Sequence, residues 1–241
     1  MSATTQTCVP NFTYIAGLLD TSGSMASMNT AELAQGAENL VKDQCKEGFK
    51  VKFTGARFSD KFDFFAENIE GNDVKITPDM ITPNGATALV PSFARMIRHT
   101  EETLSKMEFT PGNVVFILLS DGEQTVDYLR NGDESDVPYT DANGGEKRLK
   151  ELITKYQDEV GWKFFFLGMT GGIDAVKTGA KFGIASGTCM NYQSTTKGAQ
   201  SAMRSASNGI MRSQMGMDYE FTDGERENSA EGVIPHTLSE P

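Results

Sequence analysis

The stretch Tyr14-Ile15-Ala16-Gly17-Leu18-Leu19-Asp20-Thr21-Ser22-Gly23-Ser24 decides how this chain is read. An apolar run stops at a carboxylate, and two hydroxyls follow at alternate positions around a glycine. A buried strand ending there delivers Asp20, Ser22 and Ser24 into one tight loop at its carboxyl end. Hard oxygen donors in that pattern suit a hard divalent cation such as Mg²⁺, which prefers oxygen and keeps part of its water. The same residue types also begin ordinary helices as N-caps, with no metal involved.

Outward from this stretch, strands and helices alternate. Asn29-Thr30-Ala31-Glu32 has the form of a capping box, and Leu33, Ala37, Leu40, Val41 and Cys45 follow at helical spacing up to Gly48. Lys50 to Phe58 and Lys61 to Ala66 read as two strands around a Ser59-Asp60 turn, a hairpin that adds an antiparallel edge strand. Glu70 to Asn84 reads as a polar connector. Gly85-Ala86-Thr87-Ala88-Leu89 opens a helix with Leu89, Phe93, Met96, Ile97, Leu104 and Met107 on one face and Pro91 in its tolerant first turn. Val114 to Leu119 is an unbroken apolar run ending at Ser120-Asp121-Gly122, the pattern of a strand covered on both faces.

After a long acidic segment, Glu123 to Gly145, Leu149, Leu152, Ile153 and Tyr156 mark another amphipathic helix. Trp162 to Leu167 is a strand, a short helix begins near Ile173, Thr188 to Tyr192 is a short strand, and Thr195 to Met215 is a helix. The alternation predicts an α/β, doubly wound, mostly parallel central sheet with one antiparallel edge strand and helices on both faces. In such sheets ligands bind beyond the carboxyl ends of the strands, where strand order reverses. Asp20 and Asp121 both end strands and Thr87 opens a helix, so three loops can meet on one rim.

Composition bounds the alternatives. The 241 residues, 38% hydrophobic and 23% charged, suit one soluble domain with appendages, and no apolar run approaches a membrane span. The expected division is a polar leader over 1–10, a domain over 11–215, and an acidic tail over 216–241. Met1 to Thr7 lacks the charged start and apolar core of a signal peptide. Three distant cysteines, Cys8, Cys45 and Cys189, imply neither a disulfide framework nor a zinc site. The expected setting is therefore reducing and intracellular: the cytoplasm, or a viral or other intracellular assembly. A net charge of −11 argues against nonspecific binding to nucleic acid or anionic membrane. The tail has no apolar period and reads as a site of homo- or hetero-oligomeric contact rather than a core element.

With Asp20-Thr21-Ser22-Gly23-Ser24, Thr87 in Gly85-Ala86-Thr87, and Asp121 at the end of a central strand, the sequence resembles a von Willebrand factor type A domain with a metal-ion-dependent adhesion site. The resemblance runs from about Asn11 to Met215. It implies that Ser22, Ser24 and Thr87 ligate Mg²⁺ or Mn²⁺, and that Asp20 and Asp121 act through coordinated water. It also implies that an Asp or Glu of a protein partner completes the shell. Ala86 departs from the Gly or Asn common there, which bears on loop flexibility more than on ligation.

The function expected is metal-dependent protein–protein interaction without catalysis. Asp127, Asp133, Glu134, Asp136 and Asp141, set against a single Arg130 in their segment, are the expected partner-facing residues on the same rim. One alternative is a structural subunit of a larger assembly whose metal is only stabilising or vestigial. A metal-assisted phosphoryl-transfer enzyme is the weaker one. Ser22 stands where a phosphotransferase of the haloacid dehalogenase type needs a second carboxylate, and His99 and His236 map away from the rim. Gly171-Gly172 at a helix start is too short a signal for a phosphate site.

Overall fold

Buried, alternating side chains set the architecture. The structure, a computed structural model, describes residues 7–46 and 48–236. Most of the leader, 1–6, and the last residues of the tail, 237–241, lie outside the described residues. Six strands form one sheet: β1 (Thr7–Asp20), β2 (Lys50–Phe58), β3 (Phe62–Glu70), β4 (Phe109–Ser120), β5 (Lys163–Met169) and β6 (Cys189–Tyr192). Their order is β3-β2-β1-β4-β5-β6, parallel throughout except for the antiparallel β2–β3 hairpin at one edge. Strand order reverses between β1 and β4, so the switch point lies between the strands that end at Asp20 and Ser120.

The helices are α1 (Thr30–Lys42), α2 (Leu89–Ser105), α3 (Gly145–Thr154), α4 (Ala175–Phe182), α5 (Thr196–Gln214) and α6 (Asp223–Glu231). On one face of the sheet, Tyr14, Leu18, Phe116, Leu118, Phe164 and Phe166 pack beneath α2, α3 and α4. On the other, Ile15, Phe53, Ile117, Leu119, Phe165 and Leu167 pack beneath α1 and α5. Successive residues of one strand feed opposite layers, so both faces of the central strands are dry. Asn29 caps α1, its side-chain oxygen accepting from the amides of Ala31 and Glu32 at 3.1 and 3.3 Å.

Three stretches differ from their sequence reading. β1 begins at Thr7, five residues before the apolar run: residues 7–9 pair with 109–111, and the register slips between Val9 and Thr13. The connector after β3 is anchored, since Val74, Ile76 and Ile81 are buried in the α1 layer. The expected tail is, over 216–236, part of the domain body. Phe221 is buried and packs edge-on to Phe165, with ring centroids 5.4 Å apart. Arg212 on α5 makes two bonds of 2.9 Å to the Glu225 carboxylate, which is itself buried. The Gln193 amide after β6 donates to the Ser229 carbonyl, and the Ser201 hydroxyl to that of Val233. The segment is held by two aromatic rings, Tyr219 and Phe221, and by polar bonds, so it carries no hydrophobic period to read.

Candidate metal centre

β1 and β4 are in register at their ends, with Leu19 beside Leu119, so Asp20, Ser120 and Asp121 come out on one rim. Asp20 accepts from the Ser22 amide at 2.8 Å through one carboxylate oxygen and from the Ser120 hydroxyl at 2.6 Å through the other. Ser22 and Ser24 stand 3.0 Å apart, hydroxyl to hydroxyl. Both approach one oxygen of Asp121, Ser24 at 2.9 Å and Ser22 at 3.4 Å. The other oxygen, Asp121 Oδ2, is buried and has no hydrogen-bond partner among the described residues.

Thr87 reaches this group through its own loop. The Gly23 amide donates to the Gly85 carbonyl at 2.9 Å, and the Asn84 amide to the Thr21 carbonyl at 2.7 Å, stapling the two loops together. Gly85 sits at φ +86°, a conformation that favours glycine, and a Cβ there would press on the Asp60 carboxylate. Gly122 marks the centre of the cradle: a Cβ on it would lie 3.8 Å from Thr87 Oγ1 and 3.9 Å from Ser24 Oγ. Gly172 backs against the Asp121 carbonyl, where any side chain would collide. The five residues singled out for the metal are therefore brought together.

The electrostatics of the cradle are one-sided. Asp20 and Asp121 are 2% and 1% exposed, and neither pairs with a cationic side chain among the described residues. Burial pushes the Asp20 carboxyl up to about 6, against the opposing Ser120 and Ser22 hydrogen bonds. Burial raises Asp121 as well, opposed mainly by the Ser24 hydroxyl. Two buried carboxylates without a counter-charge are costly unless something neutralises them. The donor set is carboxylate and hydroxyl oxygen. No cluster of three or more His, Cys, Asp or Glu side chains able to hold a metal occurs among the described residues. Such a set fits a hard divalent cation and not a soft one.

Several supporting residues were not legible as site residues. Ser120 orients Asp20. The Thr125 hydroxyl accepts from the Thr87 amide at 2.8 Å, and the Thr87 carbonyl accepts from the amides of Thr125 and Val126. Gln124 accepts from the Val90 amide at 2.8 Å in the first turn of α2. The Tyr192 hydroxyl at the end of β6 is buried without a partner among the described residues, and its pKa is pushed up by burial and by the charges of Asp121 and Asp20.

The acidic segment does not present all its carboxylates outward. Asp136 is buried against Arg95 and Arg98 of α2, at 3.3 and 2.5 Å. Those cations lie outside the acidic stretch, so its charge pattern concealed them. Asp127 accepts from the Asp141 amide, and Asp141 from Gln124. Asp133 binds Ser135 and is largely exposed, as is Glu134. Arg130 pairs with Asp60 at 2.9 Å and ties the segment to the β2–β3 turn. His99 lies at the other end of the sheet, 3.6 Å from Glu67.

The sequence matches no family model and no curated protein. Solved structures do resemble it. Proximal thread matrix protein 1 from the mussel byssus is 16% identical, with a TM-score of 0.55 over 81% of this chain and 45% of that one. The vWF domain of the type V pili tip protein Mfa5 from Porphyromonas gingivalis is 10% identical, with a TM-score of 0.52 over 84% of this chain and 95% of that one. The ArnB paralog VWA2 from Sulfolobus acidocaldarius is 16% identical, with a TM-score of 0.50 over 81% and 45%. This chain thus spans less than half of the mussel and archaeal chains. At these identities the likeness is one of fold, and the fold is that of von Willebrand factor type A domains.

Proposed function

We propose that this protein is a divalent-cation-dependent protein-binding module without catalytic chemistry. Ser22, Ser24 and Thr87 hold Mg²⁺ or Mn²⁺ directly, Asp20 and Asp121 anchor its water, and a partner supplies an Asp or Glu. The cation offers a localised double positive charge in a cradle whose own side chains are hydroxyls and carboxylates. The observation that supports this best is the pair of buried, uncompensated carboxylates with Asp121 Oδ2 left without a partner. A cation at that point neutralises both charges and satisfies the orphaned oxygen through its water shell. Exposed Asp133 and Glu134 then bias the partner toward basic or polar groups around its metal-binding carboxylate.

Calorimetry and thermal melts with Mg²⁺ or Mn²⁺ against EDTA test the reading. Binding only to the folded state raises the melting temperature by mass action. The Ser22→Ala/Ser24→Ala double variant should lose that rise. An identical metal response in the wild type and the double variant would defeat the assignment. The assembly-subunit alternative gains if a partner is retained equally in EDTA and by Asp121→Asn.

A further inference from the structure

Two of the buried side-chain atoms without a hydrogen-bond partner among the described residues belong to the metal rim: Asp121 Oδ2 and the Tyr192 hydroxyl. The sheet register sets their residues on one level. Ser120 pairs with Gly168 across β4 and β5, and the next residue of β5, Met169, pairs with Tyr192 at the end of β6. Asp121 and Tyr192 therefore leave the sheet in the same row, two strands apart, a span of roughly 10 Å between backbones. Burial pushes the tyrosine's pKa well above 10, and the charges of Asp121 and Asp20 act on it in the same direction.

The tyrosine is held in place. Its ring is fully buried in the layer beneath α1 and α5, with Leu119, Leu167 and Met190. Its carbonyl accepts from the Thr170 amide at 2.9 Å, and the next amide, of Gln193, donates to the Ser229 carbonyl at 2.8 Å. Asn191 faces the other layer, where its side-chain oxygen accepts from the Ala175 amide at 2.8 Å. With the backbone tied on both sides, the hydroxyl cannot turn out to solvent. A phenol in so apolar a layer costs stability that a phenylalanine would not, unless some state of the protein supplies a partner. The two unpaired groups are complementary: a carboxylate oxygen accepts, and a hydroxyl donates. Polar groups that face each other beyond direct hydrogen-bond distance can be joined by a water.

We propose that Tyr192 is a positioning residue of the metal centre, its hydroxyl joined to Asp121 Oδ2 through one water that arrives with the cation. The inference rests on the metal reading above. Mg²⁺ keeps several of its waters when it binds. One such water accepts from the Tyr192 hydroxyl and donates to Oδ2, so it answers both unpaired groups at once. The bond orients Asp121 through the oxygen that Ser22 and Ser24 leave free. Without the cation the hydroxyl stays unpaired. Tyr192 thus acts with opposite signs: it costs the bare fold stability and adds affinity for the metal.

The test combines Mn²⁺ titration by electron paramagnetic resonance with thermal melts in EDTA, all on the full chain. Tyr192→Phe should bind Mn²⁺ about tenfold more weakly than wild type while melting no lower in EDTA. Met190→Leu disturbs the same buried layer away from the rim and should leave Mn²⁺ affinity unchanged. Equal affinity in Tyr192→Phe and wild type overturns the inference, and the metal reading still stands if Ser22→Ala/Ser24→Ala has lost binding. A Tyr192→Phe variant that melts lower in EDTA as well as binding weakly overturns it too, as does an equal loss of affinity in Met190→Leu. Either result reduces the tyrosine to packing. No Mn²⁺ binding by the wild type overturns this inference and the metal reading together.

Discussion

Replacing Asp20 with Asn removes a charge that folding has to bury while keeping the shape of the site. In the folded protein the Asp20 carboxyl is pushed from its ordinary 3.8 up to about 6. Between those values the folded state holds a proton that the unfolded state has released. Stability without metal therefore falls as pH climbs through this window and stays lowered above it. A rise of about 2 units corresponds to about 3 kcal/mol at neutral pH. Asn keeps an oxygen for the Ser22 amide. Its NH₂ can donate to Ser120 Oγ, whose own hydrogen can turn to the Gly122 carbonyl 3.1 Å away. Urea unfolding in EDTA should thus show Asp20→Asn more stable than wild type by about 3 kcal/mol near pH 7.5, or about 6–12 °C in melting temperature. The advantage should shrink to about 0.5 kcal/mol near pH 4 and vanish below about pH 3, where both states of the wild type are protonated. Added Mg²⁺ should stabilise the wild type and leave the variant behind. A variant equal to or weaker than wild type in EDTA near pH 7.5 would refute the claim that this carboxylate is buried without compensation.

Glu225→Ala leaves Arg212 buried and unpaired, so calorimetry should show a loss of about 3–5 kcal/mol; an unchanged melt would restore 216–236 to the status of a tail. Thr125→Val frees the Thr87 amide and should weaken Mn²⁺ binding about fivefold by electron paramagnetic resonance titration, with Thr125→Ser restoring it; equal affinities would show that the clamp is idle. Tyr192→Phe removes an unsatisfied buried hydroxyl and should raise stability in EDTA by about 1 kcal/mol; a loss of that size would mean that the hydroxyl has a partner in solution.

The sheet and its rim were legible because both rest on strong local signals. Apolar runs ending at Asp20 and Asp121 mark parallel strands and their carboxyl ends together, and Thr87 declares itself in the loop between Gly85 and the start of α2. Residues that act through another residue left no such mark. Ser120 reads as the last position of a strand until the register with Asp20 is known, and Thr125 and Gln124 read as loop. Asp136 looked free because its arginines are some forty residues upstream. Phe221 and Glu225 looked like tail because two rings, Tyr219 and Phe221, and one ion pair make no period. Cys45, read as a buried helical position, is half-buried beyond the end of α1, its thiol turned back to the Val41 carbonyl.

The hydrogen bond from Ser120 to Asp20 joins residues 100 positions apart, and those from Ser22 and Ser24 to Asp121 span 99 and 97. During synthesis the first loop leaves the ribosome long before the strand that completes it. Such distant pairings form late in folding, after most loop-closure entropy has been lost. A cation bound as proposed would therefore arrive after β1 and β4 have met. Its stabilisation should appear as slower unfolding, with the folding rate almost unchanged. An ion held there would act as a latch on a finished sheet, lengthening the lifetime of the native state without guiding the chain toward it.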